Sequence, residues 1–474
     1  MLFRSLIARG PTGSGTNGGV IELPGFSNAS SARVVIEAGA VFDASARSFG
    51  PIVDSIEGGG TFYLGHSPIY VGGSNLNMQV SGILADGGPS GGAGASLQKL
   101  GTGTLILSGA NNYTGGTTVF GGTVEVRSPV NGLGSGNVTV NAEAQLLFSQ
   151  SAVAGVQTLT AYGFNGAGQA GGILRFIDTS SAGGATLVLE GTTVNASLNR
   201  GSATFEGSSS AGTAVITVQE RVSNGTGGSL TFTGAATASA AAITNRGLTE
   251  FRQNASAGAA TMVNEAGAGS YIQFFDTSTA GASGITNQGG LGSAGRLEFF
   301  GASTAGTATI HNLGSTGGGG SGGTTAFLNN STAGNAQIIN ERSSGGSEGG
   351  VLLFYNSASA GTATIVNRGA SGSGFSSTWF DSGTTAGNAT IINEAGIAPN
   401  ALGGATFLIS SAGSAQITAR GSADFAVAGH VFIDGGTAAT STLIAEVVSA
   451  TDSDAGSLAR SSRSPVPHAC NRAL

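Results

Sequence analysis

A small turn recurs through the middle of this chain at a nearly fixed interval, and that interval limits the fold more than any other feature. The turn is Ala-Gly or a close variant, with its Gly at 183, 212, 258, 281, 306, 334, 361, 387 and 413. From 258 onward the steps are 23, 25, 28, 27, 26 and 26 residues. The gap from 212 to 258 fits two shorter coils, with Ser239-Ala240 as a degenerate turn between them. Self-similarity at a period of roughly 20 to 50 residues is the signature of a repeat array, in which each unit buries its apolar face only against its neighbours.

Three columns of residues ride on this period. A Phe lies seven residues before the Gly at 176, 205, 251, 274, 299, 327, 354 and 380; Phe407 lies at six, and Phe232 precedes the degenerate turn. An aliphatic residue lies four after it, as in Ile216, Met262, Ile285, Ile310, Ile338, Ile365, Ile391 and Ile417. Two further on stands Asn: Asn245, Asn264, Asn287, Asn312, Asn340, Asn367 and Asn393. In a strand, residues i, i+2 and i+4 share a face. In Ala363-Thr364-Ile365-Val366-Asn367 the Ala, Ile and Asn therefore point one way, and Thr and Val the other. A small, branched, polar triplet suits a core face only if identical strands stack in parallel about 4.8 Å apart, so that each Asn amide bonds to the Asn above it. The reading is all-β, a β-solenoid of roughly 25 residues per coil, with an Asn ladder inside and Gly-rich stretches such as 314–323 as outward loops.

Composition supports order and removes several functions. Charged residues are 9% of the 474, against about 25% in an ordinary domain. Net charge is only −7 and apolar residues recur regularly, which is unlike a disordered chain. Lys99 is the single lysine, and no basic stripe exists for a nucleic acid. Cys470 is the single cysteine, so an intrachain disulfide or multi-Cys metal site is excluded. No apolar run reaches the roughly 18 residues of a transmembrane helix.

Upstream, Gly101-Thr102-Gly103-Thr104-Leu105-Ile106-Leu107-Ser108-Gly109 leads through Asn111, Tyr113, Gly115, Gly116 and Thr117 to Gly122-Thr123-Val124-Glu125-Val126. The residues predict short alternating strands at 104–107, 117–119, 123–126 and 138–140, separated by Gly pairs and an Asn-Asn-Tyr-Thr turn. This stretch resembles the passenger-associated transport repeat of bacterial autotransporters, also called the autotransporter-associated β-strand repeat. The resemblance rests on Gly101, Gly103, Thr104, Leu105, Leu107, Ser108, Gly109, Asn111, Tyr113, Gly115, Gly116, Thr117, Gly122, Thr123 and Val126, and extends over about 50–147. It implies a right-handed parallel β-helix, secreted or displayed at the cell surface through an outer-membrane β-barrel translocator. It also implies host or cell-surface glycans or proteins as partners, and self-association. The opening 1–8 is too short for the apolar core of a signal peptide, and 464–474 does not resemble a barrel strand. The expectation is therefore a fragment of a longer gene product. The expected organisation is a solenoid start or cap at 1–49, transport-repeat coils at 50–160, Phe/Ala-Gly/Asn coils at 161–435, and an irregular tail at 436–474.

Candidate chemistry is sparse. Gly345-Gly346-Ser347-Glu348-Gly349 fits a nucleophile pattern, and Gly317, Gly319 and Gly322 fit a dinucleotide fingerprint. Both patterns need an adjoining helix that a Gly/Ser loop does not supply. His66, His311, His430 and His468 stand far apart in sequence, and no zinc spacing is present. Glu265, Glu341 and Glu394 follow the Asn positions or nearby turns; they read as solvated turn residues or a weak acidic ridge. Thr261, Thr309, Thr364 and Thr390 share one outward position, interrupted by Gly284, Gln337 and Gln416. The sequence thus assigns no catalytic residue, cofactor or metal. It predicts a non-enzymatic stalk or adhesive surface. The alternatives are a polysaccharide-active β-helix enzyme, which needs clustered carboxylates, and an ice- or glycan-binding module using the Thr row.

Overall fold

The computed structural model describes residues 4–14, 16–25, 29–166, 169–193, 199–343, 347–422, 426–446 and 457–460. Its contacts divide the chain into two compact units, Met1–Glu250 with Asn254–Ala260, and Phe251–Gln253 with Thr261–Leu474. Each is a β-solenoid, with roughly 26 residues per turn. The described residues contain strands and turns and no helix.

In the first unit one parallel sheet climbs coil by coil, from Arg4–Ala8 through Ala29–Ile36, Ile52–Glu57, Ile69–Val71, Leu97–Lys99, Thr117–Val119 and Val138–Val140 to Ala242–Asn245. A second runs from Met78–Val80 through Thr104–Leu107, Gly122–Val126 and Ala144–Phe148 to Ser229–Phe232. A third, short sheet joins Val20–Glu22, Val41–Asp43, Thr61–Tyr63 and Ile83–Ala85. Alternate residues of these strands are buried, as period-2 patterning requires. Phe148, Phe176, Phe205 and Phe232 stack inside with centroids 4.5–4.8 Å apart.

The second unit repeats the scheme more strictly. Met262, Ile285, Ile310, Ile338, Ile365, Ile391 and Ile417 lie in one parallel register, nearly all of them wholly buried. Phe251, Phe274, Phe299, Phe327, Phe354 and Phe380 form a second inner column, with rings 4.5–5.1 Å apart and within 10° of parallel. Burying each ring is worth about 2–3 kcal/mol. Phe407 does not continue this column. Leu408 pairs with Phe380 and takes the inner slot, while Phe407 pairs with Trp379 on the other face and stacks on it at 3.7 Å. An offset of six instead of seven reverses the face of a strand residue.

The Ala-Gly turn depends on the residue two positions before its Gly. Ser or Thr two positions before the Gly accepts a hydrogen bond from the Gly amide, as Ser359 does from Gly361 at 3.0 Å. These Ser and Thr residues form their own parallel bridge row from Thr279 to Thr437. Gly361 has φ +61°, and a Cβ there would lie 2.7 Å from the Gly334 carbonyl oxygen. At the degenerate turn Ser239, with φ +56°, fills the Gly slot itself, so the turn is Ala238-Ser239 and not Ser239-Ala240. The Gly-rich loops are hydrogen-bonded to one another: Gly290 and Ser321 exchange two backbone bonds of 2.9 Å, and Ser315 donates to Glu348 at 3.0 Å.

Candidate functional site

The residues singled out in the sequence fall in three places: the inner Asn line, the stretch at 97–126, and the outward charged and Thr rows. The Asn positions of the second unit lie on paired strands and are wholly buried. Asn264 donates through Nδ2 to the Oδ1 of Asn287 at 3.2 Å, Asn287 to Asn312 at 2.8 Å, and Asn312 to Asn340 at 2.8 Å. Asn340 donates to Asn367, and Asn367 to Asn393, each at 2.7 Å. The line ends where Asn393 donates to the His430 carbonyl at 2.7 Å, and Ala419 takes the Asn position. Every amide points the same way along the stack. Asn245 occupies the equivalent place in the first unit, buried, with its amide on the Gly247 carbonyl.

A second set of donors completes these amides. Thr325, Thr378 and Thr406 reach across the core and donate to the Oδ1 of Asn312, Asn367 and Asn393 at 2.7, 2.9 and 2.9 Å. Thr249 does the same for Asn245 at 3.0 Å. Thr249, Thr325 and Thr378 each precede a column Phe by two residues, and Thr406 precedes Leu408 in the same way. The sequence carried that signal, yet the partner lies on another strand and the pairing was not read.

The stretch at 97–126 uses its motif residues as internal fasteners. Asn111 is buried; its Oδ1 accepts from the Leu84 amide at 2.8 Å and its Nδ2 donates to the Gly132 carbonyl at 2.6 Å, tying three coils together. The Tyr113 hydroxyl is buried 2.5 Å from the Thr117 hydroxyl, and burial pushes its pKa up. Leu105 and Leu107 are core residues. Thr104 donates its amide to Asn77, Ser108 to the Val80 carbonyl, and Thr123 to the Gly103 carbonyl. The glycines mark close approach between coils. A Cβ on Gly103, Gly109 or Gly115 would sit 2.3, 1.8 or 2.1 Å from a carbonyl oxygen of the preceding coil. Gly101, Gly116 and Gly122 adopt φ of +64°, +91° and +63°. Lys99 is wholly buried. Its ammonium donates to the carbonyls of Leu100, Gly101 and Gly121 at 2.7, 3.0 and 3.2 Å, and burial lowers its pKa to about 8.

On the outside, Glu341 and Glu394 do line up, but not as an acidic ridge. Arg368 lies 3.3 Å from each, and Arg420 lies 3.8 Å from Glu394 and 3.7 Å from Glu446. His311 Nδ1 stands 3.5 Å from Glu341 on the same side. The row Thr261, Gly284, Thr309, Gln337, Thr364, Thr390, Gln416 is in register and continues to Thr442. Ser347 is buried and donates to the Gly317 carbonyl; Gly345, Gly346, His468 and Cys470 lie outside the described residues. His66 is exposed and His430 half-buried, the latter with its pKa lowered by burial. Among the described residues no three of His, Cys, Asp and Glu converge as a metal site.

Comparison with known proteins gives one match: residues 97–126 fit the family model described as passenger-associated-transport-repeat. No curated protein and no solved structure matches the chain.

Proposed function

From a passenger-associated transport repeat carried on a β-solenoid, a combination that fits an autotransporter passenger with repeats, we propose that this chain is a non-enzymatic stalk or adhesive segment of a secreted or surface-displayed bacterial protein. The match at 97–126 carries the reading. Its motif residues are spent on coil-to-coil contacts, which supports a role in building the passenger rather than in binding a ligand. The stalk reading draws further support from the outward carboxylates of the second unit. Glu341, Glu394 and Glu446 alternate with Arg368 and Arg420 along this row, an ion-paired stripe rather than the carboxylate cluster that polysaccharide cleavage needs.

Export tests the reading. The chain is placed between a cleavable signal peptide and an outer-membrane β-barrel translocator in a Gram-negative host, and external protease is applied to intact cells. The expected result is a folded fragment at the cell surface, reduced when 97–126 is deleted. Equal display with and without 97–126 would overturn the passenger assignment. Incubation with a panel of polysaccharides is expected to give no turnover, and sustained hydrolysis would overturn the non-enzymatic part.

A further inference from the structure

The second unit poses a problem that its inner columns do not solve. Successive coils offer closely similar inner positions, with Ala, an aliphatic residue, Asn and Phe up to Asn393 and with Ala419 and Ala445 in the Asn place after it, so an arriving strand finds comparable inner contacts on the correct coil or on one beyond it. Skipping a coil roughly doubles the loop to be closed, which disfavours the error only about threefold. Identical inner faces leave register weakly specified.

The outward row beside the Asn column supplies the missing information. Glu341, Arg368, Glu394, Arg420 and Glu446 stand in five successive coils, one residue beyond Asn340, Asn367, Asn393, Ala419 and Ala445. Their sign alternates without a break, and neighbours are 3.3–3.8 Å apart. Correct stacking always sets acid against base. Skipping one coil always sets like against like: Glu341 beside Glu394, Arg368 beside Arg420, Glu394 beside Glu446. We propose that this ladder is a register code, selecting the adjacent coil over the next-but-one as the solenoid assembles. The side chains are 21–48% exposed, so each contact is weak in the finished fold. At first docking, before the remaining columns close, a swing from attraction to repulsion shifts the choice by about fivefold.

Paired cysteines read the register directly. Val366 and Ile392 are partners on adjacent coils, and Ile392 and Thr418 are the next such pair. In a background with Cys470→Ser, the pair V366C/I392C can form a disulfide only in correct register. The pair V366C/T418C spans two coils, about 9.6 Å, beyond disulfide reach unless a coil has been skipped. Each pair is refolded at low salt under glutathione and crosslinks are mapped by mass spectrometry. The unaltered ladder is expected to give the 366–392 crosslink. Adding Arg420→Glu with Glu446→Arg puts two acids side by side at 394 and 420 and makes position 420 complementary to Arg368. The 366–418 crosslink is then expected to rise about fivefold or more, and the rise to fade in high salt. Reversing all five charges preserves alternation and is expected to restore the native pattern. An unchanged crosslink pattern in the double variant would overturn the proposal. If the double variant instead forms neither crosslink, a native pattern in the fully reversed ladder supports it. Loss of folding in the reversed ladder as well would show that particular side chains matter and not their alternation, and would overturn it.

Discussion

Replacing Asn340 by Val removes one link from the middle of the buried amide line, and the cost can be worked from its neighbours. Asn312 Nδ2 loses its 2.8 Å acceptor and keeps the Val351 carbonyl at 3.2 Å. Asn367 Oδ1 loses its 2.7 Å donor and keeps the Thr378 hydroxyl at 2.9 Å. Each buried polar group left short of a partner costs about 1–3 kcal/mol, and Val recovers part of this through apolar burial. The expected destabilisation is about 3 kcal/mol. Asn367→Val disturbs Asn340 and Asn393 in the same way and also takes the acceptor from the Thr378 hydroxyl, so its expected cost is higher, about 4–5 kcal/mol. The adjacent double replacement is the informative one, because it leaves three groups short, on Asn312, Asn393 and Thr378, where the two single replacements together leave five. Its cost is expected to stay near that of Asn367→Val alone, about 4–5 kcal/mol, against about 7–8 kcal/mol for the sum, a coupling of about 3 kcal/mol. Urea denaturation followed by circular dichroism, fitted to a nearest-neighbour repeat scheme, gives all three values. Additivity within about 0.5 kcal/mol would refute the idea that the amides act as a connected line.

Lys99 predicts an unusual pH response. Its folded pKa, about 8, lies below the unfolded value of 10.5, so between those values the unfolded chain binds more protons and stability rises with pH. Below pH 8 both states are protonated and the burial penalty is present in full. The urea midpoint is expected to rise between pH 8 and 9.5, reflecting a gain of about 2 kcal/mol of stability, and Lys99→Met is expected to lose that rise; an equal rise in both proteins would contradict it. Gly109→Ala is expected to disrupt the first unit, since the added Cβ would meet the Gly82 carbonyl oxygen at 1.8 Å, whereas a Cβ on Gly284 meets nothing within 4 Å and Gly284→Thr fills one gap in the outward Thr row; thermal melts of the two should move in opposite directions. Asn111→Ala removes bonds to both Leu84 and Gly132 and is expected to cost about 2–4 kcal/mol, read as faster amide exchange of 78–85 and 131–135.

Much of this fold was legible because strand parity and coil period act together. Once Ile365 and Asn367 are two apart and recur every coil, they must share a face and stack on their copies. Phe407 shows the limit of that reasoning. Only parity places a residue, and a spacing of six moved the ring outward while Leu408, at five, kept the inner slot. Thr325 and Thr378 looked like ordinary strand threonines because their Asn partners arrive from across the core. Lys99 was invisible as a buried residue, since its three acceptors are backbone carbonyls that sequence does not display. The charged row was legible and was half seen. Glu341 and Glu394 alone suggest an acidic ridge, but Arg368 and Arg420 sit at the same offset, and both signs together make an alternating ladder.

The central claim is that near-identical coils stack in parallel register around a buried line of amides. A crystal structure of the chain tests it most directly. The prediction is that Asn264, Asn287, Asn312, Asn340, Asn367 and Asn393 fall in one line with successive Nδ2 to Oδ1 distances of 2.7–3.2 Å, flanked by the Phe251 to Phe380 stack. Asn side chains that face solvent, or strands that pair antiparallel, would contradict it.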